Sequence, residues 1–589
     1  MHMTNRFRLI AGGAALALGA VACSPDDQIT VQNPNAPDAA RALARPADVE
    51  AFISGSFASF WGATMGGSND NINNQMASMS LENGSNLANF AMGPRSAIPR
   101  SPVLNTRGNS VAAGNIREYN GLSRAAAAAA VAMQRIQGTF TLGSTAQDLR
   151  GRAFGNFVLG LALGFQAMIY DSGSVITASS APTNYIPPLV GADSVFRVSM
   201  FLLDSAITLA SLPAATGGNG FPLPSTWIPG NALSAANFVR LIRSYKAKIR
   251  AGMARTPGAA VDWDLVFADA QNGITADLTI TTNTSTSFSI AWPVQHYLYN
   301  TWHQAVPMIL GFADTSGAYA SWLSQPLSAR GSAAAPPFLI ATPDNRLPSG
   351  TSLNAQIVSS GGGCVAVAPG TLCSASNMVP TVYAAPSPLA TVGGRPYFRA
   401  RPAGENAWDG TFINSPYDYY RMRIWYNGTC GGCSSARNGP FPLFLLAENN
   451  ALLAEAAMRK PTPDFPAATA AINVSRLAAG LPSVAGIANL TTPVPNSSGT
   501  ANDCVPRTPT GPANALVCGN LMEAMKWEKR METMFATYGG WFLDSRRWGD
   551  LPQGTSLQWP VPYGELDTRF KQAYNRPASD VAALGTYGY

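Results

Sequence analysis

In LMEAMKWEKRMETMFATYGGWFLDSRRWGDLPQGTSLQWPVPYGELD, residues 521 to 567, the spacing predicts one long helix, a tight basic hairpin and a proline-framed strand. Leu521, Met525, Met531, Met534 and Phe535 recur at helical spacing while Glu523, Lys526, Glu528, Lys529, Arg530 and Glu532 fill the gaps, which is the pattern of an amphipathic helix. Tyr538, Gly539 and Gly540 end it, because glycine accepts the left-handed conformation a helix C-terminus often needs. Trp541, Phe542, Asp544, Arg546, Arg547 and Trp548 make the corner, and Trp559-Pro560-Val561-Pro562 leads on to Glu565, Leu566 and Asp567. On residue chemistry alone this is a core helix with a corner stitched by Arg and Asp. Glu528, Arg530, Asp544, Arg546 and Arg547 are expected to be structural, holding the helix against its hairpin.

The order of the pieces is more specific than their composition. Glu528, Arg530 and Glu532, then Asp544, Arg546, Arg547 and Trp548, then Pro560, Pro562, Glu565 and Leu566 resemble the C-terminal signature of the SusD/RagB family of nutrient-binding outer-membrane lipoproteins. The family's usual Phe-Glu-Gly is replaced by Phe535-Ala536-Thr537-Tyr538-Gly539-Gly540. A second block, Ala447-Glu448, Leu453-Ala454-Glu455-Ala456, Ile472-Asn473-Val474, Arg476 and Ala479-Gly480-Leu481-Pro482, resembles the family's preceding helix pair. The frame from Arg152-Ala153 to Tyr170-Asp171 is similar to a third family helix. The resemblance implies a mainly α fold, a tetratricopeptide-like solenoid of helical pairs with a large irregular, loop-rich lobe carrying the ligand site. It also implies nutrient uptake through carbohydrate binding and delivery to a SusC-like TonB-dependent transporter.

The N-terminus reads as a secretion signal: Arg6 and Arg8, the apolar Leu9 to Val21, then Ala22 and Cys23. Ala20-Val21-Ala22-Cys23 approximates a lipobox, with Ala20 where Leu is usual, so Cys23 is the expected lipidation site. A plain signal peptide cleaved nearby is the alternative. The expected location is the outer membrane, lipid-anchored and facing the exterior. Parity agrees: of seven cysteines, six remain without Cys23, in three local couples, Cys364 with Cys373, Cys430 with Cys433, and Cys504 with Cys518. In an oxidising compartment these read as disulfide staples of loops. The Cys430-Gly431-Gly432-Cys433 spacing also fits a redox or zinc half-site.

The chain is 589 residues with 12% charged residues, against roughly 25% in ordinary soluble proteins. Net charge is +6, of which two arginines belong to the leader, too weak and scattered an excess to point to nucleic acid. Helices are expected over Ala47–Trp61, from Glu118 through the alanine run Ala125–Ala130, and over Ala146–Tyr170, Ser194–Leu212, Ala235–Arg255 and Asp262–Ile274. Asn69, Asp70, Asn71, Asn73 and Asn74 after Trp61 read as a polar surface loop, lacking the glycine and terminal glutamate of a calcium-binding EF-hand loop. Arg240, Arg243, Lys246, Lys248 and Arg250 make one helix basic, as a solvated or carboxylate-paired face. The expected organisation is a signal peptide at 1–22, a lipidated tether at 23–45 and an N-terminal helical region at 46–274. A loop-rich ligand-binding lobe at 275–439 and a C-terminal helical region with a disulfide-bearing insert at 440–589 follow.

Catalytic chemistry is hard to place. Of three histidines His2 leaves with the leader, and no Cys or carboxylate cluster completes a metal site around His296 and His303, so neither metal nor cofactor is expected. Phosphate-loop, dinucleotide and G-x-S-x-G patterns are missing from the sequence. A glycosidase needs two facing carboxylates, and Glu405, Asp409 and Asp418 are the candidates, in loops where turn roles serve as well. Aromatics crowd instead: Trp292, His296, Tyr297, Tyr299, Trp302 and His303 lie within twelve residues, and Trp408, Tyr417 and Tyr419 follow. Sugar rings stack their C–H faces on such rings while hydroxyls pair with Asn, Asp and Arg. Trp408, Asp409, Tyr417, Tyr419, Trp292 and Trp302 are therefore the expected ligand-binding residues, although the 292–302 pattern equally suits a buried helix. The sequence thus reads as a binding protein for an oligosaccharide rather than an enzyme. A secreted glycan hydrolase and a structural or adhesive surface protein are the alternatives.

Overall fold

Wherever apolar residues recur at helical spacing, the chain is helical. The computed structural model describes residues 42–66, 71–85, 92–109, 112–180, 186–283, 288–290, 304–332, 336–360, 396–400, 412–419, 421, 439–500, 502–510 and 515–588. The chain divides into two units, Met1–Val49 and Glu50–Tyr589. In the first, Arg45 and Asp48 pair at 2.9 Å across one exposed turn. The main helices are α1 (Pro46–Thr64), α2 (Ile72–Met79), α3 (Ala112–Gln137), α4 (Thr145–Ile169), α5 (Ala192–Ser211), α6 (Ala235–Gly252) and α7 (Trp263–Gln271). Towards the C-terminus come α8 (Leu446–Arg459), α9 (Phe465–Ala478), α10 (Leu521–Thr533) and α11 (Gly540–Trp548). The fold is mainly α, built of successive helices that pack pairwise.

Helix α4 organises the N-terminal pairs. Ser144 caps it by accepting the Gln147 N–H, and from Ala153 on it is apolar all round but for Asn156 and Gln166, because α3, α5 and α6 all pack on it. It is long and apolar enough to cross a membrane, yet it is buried inside the protein. Its glycines are the points of closest approach: a Cβ at Gly155 would meet Met133 Sδ of α3 at 2.5 Å, and one at Gly160 would meet Leu203 of α5 at 2.6 Å. Small residues answer from the other side, since Ala125, Ala126, Ala129 and Ala130 of α3 are fully buried. The basic helix α6 is carboxylate-paired. Arg243, Lys246 and Arg250 converge on Asp269 of α7 at 3.2, 3.3 and 3.2 Å, and Lys248 meets Glu448 of α8 at 3.0 Å.

Strands among the described residues form four two-stranded antiparallel sheets: β1 (Ser172–Ser174) with β2 (Leu189–Gly191), β3 (Leu278–Thr282) with β6 (Gly439–Phe444), β4 (Phe398–Ala400) with β5 (Tyr417–Tyr419), and β7 (Arg507–Thr510) with β8 (Ala515–Cys518). The β3–β6 ladder sets Thr282 opposite Gly439, so the chain leaves for the irregular lobe and returns from it at one place. A disulfide joins Cys504, ahead of β7, to Cys518 at the end of β8, with a Cα–Cα distance of 5.7 Å. Helices α8, α9, α10 and α11 share a core of Ala454, Met458, Ile472, Leu521, Met525 and Trp548.

Two expectations fail here, for related reasons. The Asn-rich stretch after Trp61 is not a surface loop: from residue 71 it forms α2, buried throughout. Asn71 caps it by accepting the Asn74 N–H, and Asn73 Oδ1 accepts the Gly539 N–H at 2.9 Å. Nor is the segment after α10 a hairpin leading to a proline-framed strand. Gly539, left-handed at φ 60°, opens helix α11, and residues 563–568 are helical too. Helix α10 itself is not amphipathic in its setting, since Lys526, Glu528, Lys529, Arg530 and Glu532 are as buried as its methionines.

Candidate functional site

Charges buried on every face of α10 must find partners, because an unpaired ion in a protein interior costs several kcal/mol. Three groups of ion pairs supply them. Arg346 links Asp344 (2.8 Å) to Glu528 (2.7 Å) and Glu532 (3.2 Å), and Arg421 donates to the other oxygen of Glu532 at 3.1 Å. Burial pushes the Asp344 carboxyl up, but Arg346 outweighs it and holds it below the ordinary carboxylate value. Lys529 and Arg547 both reach Asp544 at 2.8 Å, and Arg547 also forks onto Glu455 at 2.9 and 2.6 Å. There burial is overcome again, with Arg547, Arg459 and Lys529 holding Glu455 down to about 2. Lys526 and Arg530 share Asp550 at 3.1 and 2.6 Å.

Arg546 is different in kind. It donates to the carbonyls of Met168 (3.1 Å), Leu557 (2.6 Å) and Gly252 (2.6 Å), where α4 and α6 end and have spare acceptors. Burial, with Arg255 and Arg547 adding to it, lowers its pKa well below the ordinary arginine value. Glu528, Arg530, Asp544, Arg546 and Arg547 thus all lie inside the protein at the α10–α11 corner.

The expected ligand residues fall into two sets. Trp292, Trp302, Trp408 and Asp409 lie outside the described residues, as do Glu405, His296, His303, Cys23, Cys364, Cys373, Cys430 and Cys433. Tyr417 and Tyr419 are described, and they do not offer rings to a ligand. They are 1% and 2% exposed in strand β5. The Tyr417 hydroxyl donates to Gln356 Oε1 at 2.6 Å and accepts the Ile340 N–H at 2.8 Å, while Tyr419 packs edge-on against Phe398 and Phe535. Asp418 between them is held by the Arg399 guanidinium at 2.8 and 2.9 Å, an arrangement suited to fixing the strand pair rather than to moving protons. Among the described residues no group of three His, Cys, Asp or Glu is placed to hold a metal ion.

What the structure adds is a cavity of about 210 Å³ beside α10, walled by α8 and α9. It is lined by the apolar Ala447, Ala451 and Ile472, by the polar Asn450 and Ser475 interleaved with them on α8 and α9, and by the ion pair of Arg421 with Glu532. The Arg421 guanidinium lies 4.0 Å over the Tyr397 ring, whose hydroxyl donates to Glu532 Oε2 at 3.1 Å. Sequence reasoning missed this site because its parts come from separate elements and carry no local motif.

No family model matches the chain, and no curated protein matches it. Solved structures do. A SusD superfamily protein from Parabacteroides distasonis ATCC 8503 superposes with a TM-score of 0.51 at 10% identity, covering 90% of this chain and 99% of that one. One from Bacteroides vulgatus ATCC 8482 gives 0.48 at 14% identity over 89% and 97%. A laminarin-binding SusD-like protein gives 0.46 at 13% identity over 90% and 99%. The paired helices, the lobe inserted through the β3–β6 ladder and the buried α10–α11 corner make up a chain that shares the fold of the SusD superfamily.

Proposed function

We propose that this chain is a lipid-anchored, surface-exposed outer-membrane protein that binds an oligosaccharide and passes it to a SusC-like TonB-dependent transporter. The observation that carries the reading is the fold shared with the Parabacteroides distasonis SusD superfamily protein over nine-tenths of the chain. The leader ending at Cys23, the family-like blocks at 447–482 and 528–566, and the aromatic-rich stretches of the lobe support it. Binding without turnover agrees with the pairing of Asp418 to Arg399, which takes that carboxylate out of the pool a hydrolase would need.

Two experiments test it. Cys23→Ala is expected to move the protein from the membrane fraction to the soluble fraction of fractionated cells. Retention in the membrane would remove the anchor from the proposal. For the ligand, isothermal titration of the mature chain against soluble plant and microbial glucans is expected to show binding that Trp408→Ala weakens. A stacking ring is worth about 0.5–1.5 kcal/mol beyond its area, so the loss should be roughly two- to tenfold, with an unchanged circular dichroism spectrum. Wild-type affinity in both Trp408→Ala and Trp292→Ala would place the platform elsewhere.

A further inference from the structure

The cavity beside α10 has chemistry of its own. The charged part of its lining is already matched: Glu532 is shared by Arg421 and Arg346, Glu528 is held by Arg346, and Lys529 is turned to Asp544. A charged ligand entering here would have to break one of these pairs and leave the other member buried without its counter-ion, which is unfavourable. A purely apolar ligand would cover the polar lining groups without satisfying them. Of these, the Asn450 amide makes no hydrogen bond among the described residues, the Ser475 hydroxyl makes one long bond of 3.4 Å to Ile472 O, and Asp277 uses Oδ1 for the Leu446 N–H at 2.8 Å. Donors and acceptors are therefore both on offer. Beside them, Ala447 and Ala451 on the same face of α8 as Asn450, and Ile472 one turn from Ser475 on α9, add apolar surface to the same lining.

We infer that this cavity is a binding site for a neutral polyhydroxylated ring, a single sugar unit or a polyol of that size, separate from the loop aromatics. Each hydroxyl of such a ligand both donates and accepts, which suits Asn450 and Ser475. Its C–H groups suit the alanine and isoleucine side chains interleaved with those polar groups, and its neutrality leaves the Glu532–Arg421 pair intact. A volume of about 210 Å³ admits one ring and not a chain of them. The site lies between helices of the scaffold, so it is preformed and loses little in ordering on binding.

Saturation-transfer NMR on the mature chain, with methyl glucoside, methyl galactoside, xylose and inositol at millimolar concentration, tests this directly. At least one probe is expected to give a signal that survives Trp408→Ala. That signal should fall at least tenfold in Ala447→Phe, which fills the cavity, and severalfold in Asn450→Ala, which removes the free amide from a half-buried position without enlarging any packed core. Both variants should keep the wild-type melting curve, and if Ala447→Phe does not fold, Asn450→Ala decides alone. Absence of any signal, or a signal unchanged in Asn450→Ala, overturns the site. A signal lost in Trp408→Ala but intact in both cavity variants also overturns it while leaving the proposed function standing. Binding of glycine or glutamate in place of the neutral probes would overturn the argument from matched charge.

Discussion

Replacing Glu455 with Ala is expected to destabilise the protein by about 3–5 kcal/mol, the usual consequence of removing one partner from a buried ion pair. The carboxylate accepts from Arg547 Nε and Nη2 at 2.9 and 2.6 Å and from the Trp548 indole at 3.0 Å, so its removal leaves the guanidinium to share Asp544 with Lys529 and the indole N–H without its acceptor. Thermal unfolding followed by circular dichroism at pH 7 measures it, and an unchanged midpoint would refute the assignment. The same group carries an acid dependence. Its folded pKa is depressed from 4.5 to about 2, so its contribution is fully present above pH 4.5 and is lost as pH falls through about 2. That shift corresponds to about 3 kcal/mol at about 1.4 kcal/mol per unit. Glu455→Gln should therefore lose the steepest part of the decline in stability between pH 4.5 and 2.

The opposite slope is expected from Glu118. Burial raises its pKa from 4.5 to about 8, against the opposing pull of the backbone N–H groups it accepts from. Its Oε1 takes the Ile72 N–H at 2.7 Å and the Asn73 N–H at 3.2 Å at the start of α2, and Tyr538 and Tyr170 lie beside it. A folded pKa above the unfolded one means that the contribution is whole below pH 4.5 and is lost as pH rises through about 8. The loss amounts to about 5 kcal/mol at most. Glu82 acts in the same direction: burial raises it to about 8 as well, and its Oε1 accepts the Phe535 N–H at 2.7 Å. Glu118→Gln keeps an acceptor for the two N–H groups but has no proton to lose. It should melt higher than wild type at pH 9 and differ little at pH 5. A variant that melts lower than wild type at both values would show that the carboxyl is ionised in the folded protein.

Much of the helical architecture was legible because the 3.6-residue apolar period survives in the sequence. The span expected at Ala146–Tyr170 is Thr145–Ile169, and that expected at Ser194–Leu212 is Ala192–Ser211. What the period does not carry is where a charge goes. Helix α10 reads as amphipathic because its Glu, Lys and Arg residues alternate with methionines, but Arg346, the partner of its Glu528 and Glu532, stands far away in the chain, 182 residues before Glu528. The same holds for α2, whose amide side chains look like loop residues until remote partners appear, Gly539 for Asn73 at 2.9 Å and Asn115 for Gln75 at 3.0 Å. Tyr417 follows Asn414-Ser415-Pro416, a turn signal, yet the turn delivers it inward to Gln356. The cavity was invisible for the same reason, since Asn450, Ser475 and Arg421 have no relation in the sequence.

The β3–β6 ladder alone would make the lobe an arm on a hinge, free to swing as a jaw over its ligand. It is not free, because Arg346 at mid-lobe is plugged into Glu528 and Glu532 of the scaffold, Asp344 receives the Trp527 indole at 2.9 Å, and the Phe398 N–H donates to Arg346 O at 3.0 Å. A member fixed at its root and again at mid-span is a bracket. Rotation about the root would pull buried ions apart, so residues 344–346 and strand β4 cannot act as a closing jaw.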